Sequence, residues 1–173
     1  MTTTAQRFTR LGAALLLAAC SRASAPTTTV QAAASLPPVS GERRATGGIE
    51  YIDVVEGSGN AVRSGQCAYM HYIGWTESGR VFDTSRDTTG ATELPPLTVP
   101  LGTKTVIAGW DAGIPGMRVG GKRRLFIPYR LAYGEVGSPP MVPRRANLVF
   151  DVELVAIGHA TRSGSKSTCP AWR

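Results

Sequence analysis

The tripeptide Val-Phe-Asp occurs twice in this chain, at 81–83 and at 149–151. Each copy places an aromatic ring beside a carboxylate, which suits an apolar ligand with a polar group as well as acid–base chemistry. Successive side chains of a regular strand point to opposite faces. The second copy lies in the alternating segment NLVFDVELV, so Phe150 and Asp151 should face apart. A single site could use both residues of one copy only if the backbone were irregular there.

The usual signs of metal or covalent chemistry are weak. Neither His71 nor His159 has a cysteine or carboxylate at metal-ligand spacing, which disfavours a metal site. No Gly-x-Ser-x-Gly segment is present, although a Ser-His-Asp set assembled by the fold stays open. GMRVGGKR at 116–123 fails the phosphate-loop pattern at Arg123, where Ser or Thr is needed, and a strand rather than a helix follows. The sequence therefore predicts no metal and no cofactor.

Short strands and turns must position these residues. The 173 residues include 20 glycines and 12 prolines, which favours one domain of many turns over a helical bundle. Alternation and turn residues predict six strands, at 49–57, 66–75, 80–85, 97–102, 122–129 and 147–158. Only 106–117 has a helical pattern, and Pro115 and Gly116 end it. The expected class is α+β, with one short helix covering an antiparallel sheet.

Five motifs stand in order along the chain: MHYIGW, GRVFDTSRD, VIAGWDAGIPGMRVGGKRRLFIP, LAYGEVG and PPMVPRRANLVFDVELV. Together they resemble the FKBP-type peptidyl-prolyl cis–trans isomerases, and the resemblance covers about 49–158. It implies a twisted antiparallel half-barrel wrapped around one short α-helix, with an apolar pocket between them. It also implies binding of X-Pro peptides and of macrolides such as tacrolimus and rapamycin.

The resemblance assigns roles to ten residues. The catalytic set is Tyr72, Asp83, Tyr133 and Phe150, and the substrate-binding set is Phe82, Val106, Ile107, Trp110, Met141 and Val142. Trp110 corresponds to the floor under the proline ring, and the Ile107 N–H corresponds to the donor to the substrate carbonyl. The family pattern needs both Phe82 and Asp83 in the pocket. We therefore expect a bulge or turn at the first Val-Phe-Asp copy and none at the second.

Three departures from the family pattern concern the predicted pocket. The loop at 86–96 is longer than in the shortest family members. Leu97 and Val99 stand where the family often has aromatic residues, and Met141 belongs to an atypical flap. We expect the pocket to survive with weaker macrolide affinity. The leading function is an active isomerase, and the runner-up is a non-catalytic peptide-binding or chaperone protein that uses the same groove. A third possibility is a surface-exposed virulence or envelope lipoprotein whose isomerase activity is incidental.

The N-terminus reads as a targeting segment at 1–20. Arg7 and Arg10 precede a short apolar run that is too short to span a bilayer, which indicates a secretory signal peptide. The run ends in Leu-Ala-Ala-Cys, which resembles the bacterial lipobox and predicts lipidation at Cys20. The alternative is ordinary cleavage after Ala25, which the following Pro26 disfavours. Because Ser21 is not an aspartate, the resemblance implies anchoring at the periplasmic face of an outer membrane.

Both ends of the domain are expected to be irregular. Residues 21–48 are rich in Ala, Thr, Ser and Pro without an amphipathic period, which predicts a disordered tether. The tail at 159–173 also lacks a pattern. If Met70 and Tyr72 face the core, Cys67 faces outward, where the tail could cross it. We therefore hypothesise a Cys67–Cys169 disulfide in an oxidising compartment, with two separate thiols as the alternative.

The net charge of +7 has several possible meanings. The basic residues at 122–124 and 144–145 lack interleaved aromatic residues, so a solvated strand and loop is favoured over a weak attraction to anionic lipid. Nucleic acid is an improbable partner for an exported protein. The expected partners are proline-containing exported polypeptides and, through the lipid anchor, a membrane. No dimerisation segment is visible, so we expect a monomer.

Overall fold

The computed structural model describes residues 36–86, 94–163 and 166–172. The signal peptide, the lipidation residue Cys20, the first part of the proposed tether and most of the loop at 86–96 lie outside the described residues. The described residues all belong to one compact unit. Within its described part, no helix has the length and apolar character needed to cross a membrane.

An open antiparallel sheet dominates the described residues. Its strands are β1 (Arg43–Thr46), β2 (Ile49–Val55), β3 (Gln66–Thr76), β4 (Val81–Thr84), β5 (Leu97–Pro100), β6 (Lys122–Ile127) and β7 (Leu148–His159). Their order is β1-β2-β6-β7-β3-β4, and β5 also pairs with β3. A separate hairpin joins β8 (Thr161–Ser163) to β9 (Lys166–Thr168). The described helices are α1 (Ala108–Gly113) and a 3₁₀ turn (Tyr129–Leu131). The predicted α+β class is confirmed.

The core lies between the concave face of the sheet and α1. Ile114, the C-cap of the helix, and Leu125 of β6 are fully buried in it. Two helical glycines explain the close packing. A Cβ at Gly109 would lie 2.4 Å from Ile127, and one at Gly113 would lie 2.6 Å from Ile49. Their lack of a side chain lets the helix backbone approach the sheet, at the cost of their weak helix propensity.

The helix is shorter than the predicted 106–117. Ile107 is its N-cap and has extended backbone angles, φ −58° and ψ 145°. Val106 and Ile107 therefore lie in the segment that leads into the helix. At the other end Gly116 has φ 89°, a left-handed conformation that stops helix propagation.

The predicted tether at 21–48 is wrong for its last residues, because the chain forms β1 there. β1 pairs with β2 through a tight turn at Gly47 and Gly48, which have φ values of 55° and 84°. Two consecutive positive φ angles suit a two-residue hairpin, and glycine adopts them without strain. The Arg43 guanidinium also lies 3.9 Å from the centre of the Phe126 ring.

The prediction of an irregular tail at 159–173 is wrong for His159 and for the two strands that follow, whereas 169–172 have no regular secondary structure. β7 extends to His159, and the β8–β9 hairpin follows. A disulfide joins Cys67 to Cys169, and the Tyr69 hydroxyl donates to the Pro170 carbonyl at 2.8 Å. The Trp172 ring lies 5.4 Å from that of Tyr69. These contacts cover the convex face of β3, so Cys67 faces away from the core and is still fully buried.

The prediction of a solvated basic strand at 122–124 is wrong for Arg123 and Arg124, while Lys122 is exposed. Arg123 and Arg124 are 7% and 2% exposed. On the concave face Arg123 donates to Asp53 at 2.6 Å and to the Gly113 carbonyl at 2.8 Å. On the convex face Arg124 donates two hydrogen bonds, of 2.6 and 2.7 Å, to the Asp151 carboxylate. Arginine can be buried in this way because its planar fork pairs with carboxylates in fixed geometry.

Candidate active site

Four aromatic rings form the wall of a site between the sheet and the start of α1. Phe150 of β7 lies at the centre, with ring centroids 5.3 Å from Trp110, 5.5 Å from Phe82 and 6.2 Å from Tyr72. Tyr72 meets Trp110 edge-on at 5.1 Å. Edge-to-face contacts of this kind are the favoured geometry for aromatic pairs. Val106, Ile107 and Val142 pack into the same apolar cluster.

The first Val-Phe-Asp copy contains the expected bulge. In the β3–β4 ladder Asp83 pairs with Gly74 and Val81 pairs with Trp75, so Phe82 is an extra residue. Phe82 can therefore turn into the cluster while Asp83 stays at its edge. Gly74 leaves room for the rings, since a Cβ there would lie 2.8 Å from Phe150 and 2.9 Å from Phe82.

The second copy is a regular strand, as expected. Phe150 is 3% exposed on the concave face. Asp151 points to the convex face, where it binds Arg124. The same three residue types therefore contribute a ring and a carboxylate to the site in one copy, and a ring alone in the other.

Asp83 is the acceptor of the site. The Tyr72 hydroxyl donates to its Oδ2 at 2.7 Å. Burial, then the hydrogen bond to Asp83 and its charge, raises the pKa of the Tyr72 phenol. Burial and the charge of Asp83 also raise the pKa of Tyr133, whose side chain is 39% exposed at the rim. A raised pKa keeps a phenol protonated, so both tyrosines remain neutral hydrogen-bond donors at neutral pH and above.

The N-cap and first turn of α1 contribute an indole ring, at the base of the site, and a backbone N–H donor. Trp110 is 4% exposed, and its indole nitrogen has no hydrogen-bond partner among the described residues. The Ile107 N–H donates to no other described residue. The Asp111 carboxylate, which the sequence analysis did not single out, accepts from the backbone N–H groups of Gly102 at 2.7 Å and Lys104 at 3.1 Å. It thereby fixes the loop that leads to Ile107, and an acidic residue in a first helical turn was the available signal.

The two predicted flap residues, Met141 and Val142, lie in different environments. Val142 is 2% exposed inside the core, whereas Met141 is 45% exposed and lies outside the apolar cluster. Ser138 and Val142 exchange two backbone hydrogen bonds of 2.9 Å. Arg80 donates to the Met141 carbonyl and so ties the β3–β4 hairpin to the flap. Nothing in the local sequence around Arg80 indicated that contact, because it joins residues far apart in the chain.

The arrangement suits non-covalent chemistry. It offers apolar ring surface, two neutral phenols, one carboxylate and a backbone N–H. Among the described residues no three His, Cys, Asp or Glu side chains are grouped closely enough to hold a metal ion. The chemistry that these groups support is binding of an apolar ring with an adjoining carbonyl, with polar contacts at its edge.

Comparison with known proteins agrees with the fold and the site. A family model for FKBP-type peptidyl-prolyl cis-trans isomerase matches residues 59–155. An FK506-binding protein of Neisseria meningitidis serogroup B is 42% identical over 111 residues, which cover 64% of this chain and 97% of that protein. FK506-binding protein 4 of Dictyostelium discoideum is 48% identical over 109 residues, which cover 63% of this chain but 28% of that protein. The crystal structure of AtFKBP13 superimposes with a TM-score of 0.58 at 37% identity, over 66% of this chain and 98% of that one. The chain therefore belongs to the FKBP-type peptidyl-prolyl cis–trans isomerase family.

Proposed function

We propose that this protein accelerates rotation about X-Pro bonds in exported polypeptides by binding the twisted amide non-covalently. The observation that carries the proposal is the bulge at Phe82, which brings the Asp83 carboxylate to the edge of the four-ring wall. In our assignment the proline ring rests on Trp110. The Ile107 N–H donates to the substrate carbonyl, and Tyr133 donates from the rim.

The energetics require no covalent step. The barrier to amide rotation is ~18–20 kcal/mol, and it arises from lost resonance. The twisted amide is less polar than the planar one, so an apolar, water-poor pocket favours the transition state over the ground state. A thousandfold acceleration needs only about 4 kcal/mol of this preference. Asp83 acts by charge and by accepting hydrogen bonds, and no proton is transferred to substrate.

The same pocket would accept macrolides of the tacrolimus and rapamycin type. The two relatives described above are named as FK506-binding proteins, which supports this ligand class. Leu97 is 38% exposed and Val99 is buried. Neither supplies the aromatic surface often found at these positions in the family, so we expect weaker affinity than in the best binders.

A protease-coupled isomerisation assay on an X-Pro peptide tests the activity. We expect a rate well above the uncatalysed exchange, which takes tens to hundreds of seconds. Replacing Trp110 with leucine should abolish the acceleration because the floor of the pocket is lost. The matched control is Trp172→Leu, since Trp172 lies on the convex face and is 42% exposed. If the folded protein binds the peptide without accelerating it, the non-catalytic chaperone reading replaces the enzyme.

We also propose that the protein is lipid-anchored through Cys20 and works in the periplasm at the outer membrane. The signal-like segment and the lipobox motif support this location. Expressed in a Gram-negative host, the protein should partition into a detergent phase and carry a fatty acyl mass increment. A Cys20→Ser variant should lose both properties. Acylation that persists in the variant would exclude Cys20 as the anchor.

A further inference from the structure

Most positive side chains described in the fold have a carboxylate partner. The ion pairs are Arg43–Glu50, Arg44–Glu42, Arg44–Asp53, Arg86–Glu153, Lys122–Glu153, Arg123–Asp53, Arg124–Asp151 and Arg145–Glu135. The described positive side chains without such a partner are Arg63, Arg80, Lys104, Arg118, Arg130 and Arg144. Of these, Arg63 and Arg118 line the same cavity. The unbalanced positive charge there is a local feature that the net charge does not reveal.

The cavity has a volume of about 390 Å³ and is lined by Asn60, Ala61, Arg63, Gln66 and Arg118. None of these described lining residues carries a carboxylate. The Arg63 guanidinium bonds to no described residue, while Arg118 donates one hydrogen bond, at 3.1 Å, to the Gly59 carbonyl. The Gln66 amide oxygen already accepts from the Arg63 backbone N–H at 2.9 Å. What Gln66 can offer a ligand is therefore its N–H₂ group, so the available side-chain groups are mainly donors.

The backbone holds the two arginines at adjacent positions. Arg118 forms a β-bridge with Ala61, which lies two residues before Arg63 in the chain. The Val62 N–H donates to the Met117 carbonyl at 2.8 Å, and the Val119 N–H donates to the backbone carbonyl of Asn60 at 3.1 Å. Because these backbone hydrogen bonds already order both segments, a ligand would have to overcome little loss of backbone conformational entropy on binding. None of the lining residues belongs to the aromatic wall, so this cavity and the candidate active site are separate.

We propose that this cavity, the oxyanion cradle, binds a phosphate group. The planar guanidinium group of an arginine can donate two parallel hydrogen bonds to two oxygens of one phosphate. The two amide side chains can supply further N–H donors. The cavity falls in the size range of small-molecule sites, so it can admit a phosphate that carries an organic substituent. That phosphate can belong to an anionic lipid headgroup or to a soluble phosphate ester.

Titration of the full chain with inorganic phosphate, followed by calorimetry, tests the cradle. The Cys20→Ser background removes the proposed lipid from every sample. Gln66→Glu should weaken binding at least about tenfold, because it places a carboxylate in the cavity while keeping an acceptor for the Arg63 N–H. Arg63→Gln with Arg118→Gln should do the same. Arg43→Gln with Lys122→Gln is the matched control, with equal charge loss outside the cavity, and should stay within about twofold.

Co-flotation with vesicles separates the two phosphate sources. If phosphatidylcholine vesicles bind the protein only when phosphatidic acid is added, and the cradle variants lose that binding, the ligand is a lipid headgroup. Binding of inorganic phosphate without vesicle binding identifies a soluble phosphate ester. The absence of phosphate binding by folded protein, or equal affinity in the cradle variants, would overturn the proposal. X-Pro isomerisation should be unchanged in all these variants, so a failed cradle leaves the proposed activity standing.

Discussion

Replacing Asp83 with alanine is expected to lower kcat/KM for an X-Pro peptide by about ten- to a hundredfold, with little loss of stability. A hydrogen bond to a charged group is worth about 1.5–3 kcal/mol, and each 1.36 kcal/mol is about tenfold in rate. The carboxylate is exposed, and among the described residues its one hydrogen bond comes from Tyr72. Removing it therefore leaves no buried charge behind. The prediction rests on the proposed activity and is measured by the coupled assay with thermal unfolding.

The matched variant, Asp151→Ala, should behave in the opposite way. It leaves the Arg124 guanidinium, which is 2% exposed, without its partner. Breaking a fully buried pair costs about 3–5 kcal/mol. Because the Asp151 side chain is 36% exposed, we expect a loss of about 2–3 kcal/mol of unfolding free energy after allowing for solvent screening. Catalysis by the folded fraction should be nearly unchanged, since Asp151 lies on the convex face.

The two aspartates therefore form a crossed test of the site assignment. Urea unfolding gives the folded fraction of each variant, and kcat/KM is compared at equal folded protein. A loss of kcat/KM as large in Asp151→Ala as in Asp83→Ala would remove Asp83 from its assigned role. So would an Asp83→Ala protein that is fully active.

Sequence reasoning was most accurate where local pattern and family motif agreed. Alternation along NLVFDVELV fixed the faces of Phe150 and Asp151, and the strand is regular there. The bulge at Phe82 could be expected because two adjacent side chains had to reach one pocket. The predicted helix at 106–117 was too long at both ends, since α1 runs from Ala108 to Gly113. The backbone of Ile107 is extended although its side chain continues the apolar pattern, and only the three-dimensional packing decides that.

The structural elements that sequence reasoning missed depend on distant contacts. β1 pairs with β2 across a Gly-Gly turn, but its exposed, charged residues look like tether. Three consecutive basic residues look solvated, yet Arg123 and Arg124 find Asp53 and Asp151 on other strands. The tail lacks any local pattern because Cys169 and Pro170 gain order from contacts with β3. In each case the stabilising partner lies far away in the chain, where periodicity carries no information.

Removal of the disulfide is expected to cause the largest loss of stability. Cys67 and Cys169 are 102 residues apart, and in the chain-entropy treatment a loop of this length contributes about 4–5 kcal/mol. We expect Cys169→Ala to lower the unfolding free energy by about 2–5 kcal/mol, since measured values often fall below that treatment. Cys169 is the better position to change, because Cys67 is fully buried and a new residue there would also disturb the packing between β3 and the tail.

Urea unfolding with and without reductant isolates the contribution of the bond. Reductant should shift the wild type to the midpoint of Cys169→Ala and leave the variant where it is. Isomerisation at low urea should be retained, because Cys67 pairs with Gly158 and Pro100 at the end of β3 remote from the rings. A change below about 1 kcal/mol would mean that Tyr69, Pro170 and Trp172 hold the tail without the covalent bond. In that case the buried surface on the convex face, and not the cross-link, stabilises this end of the sheet.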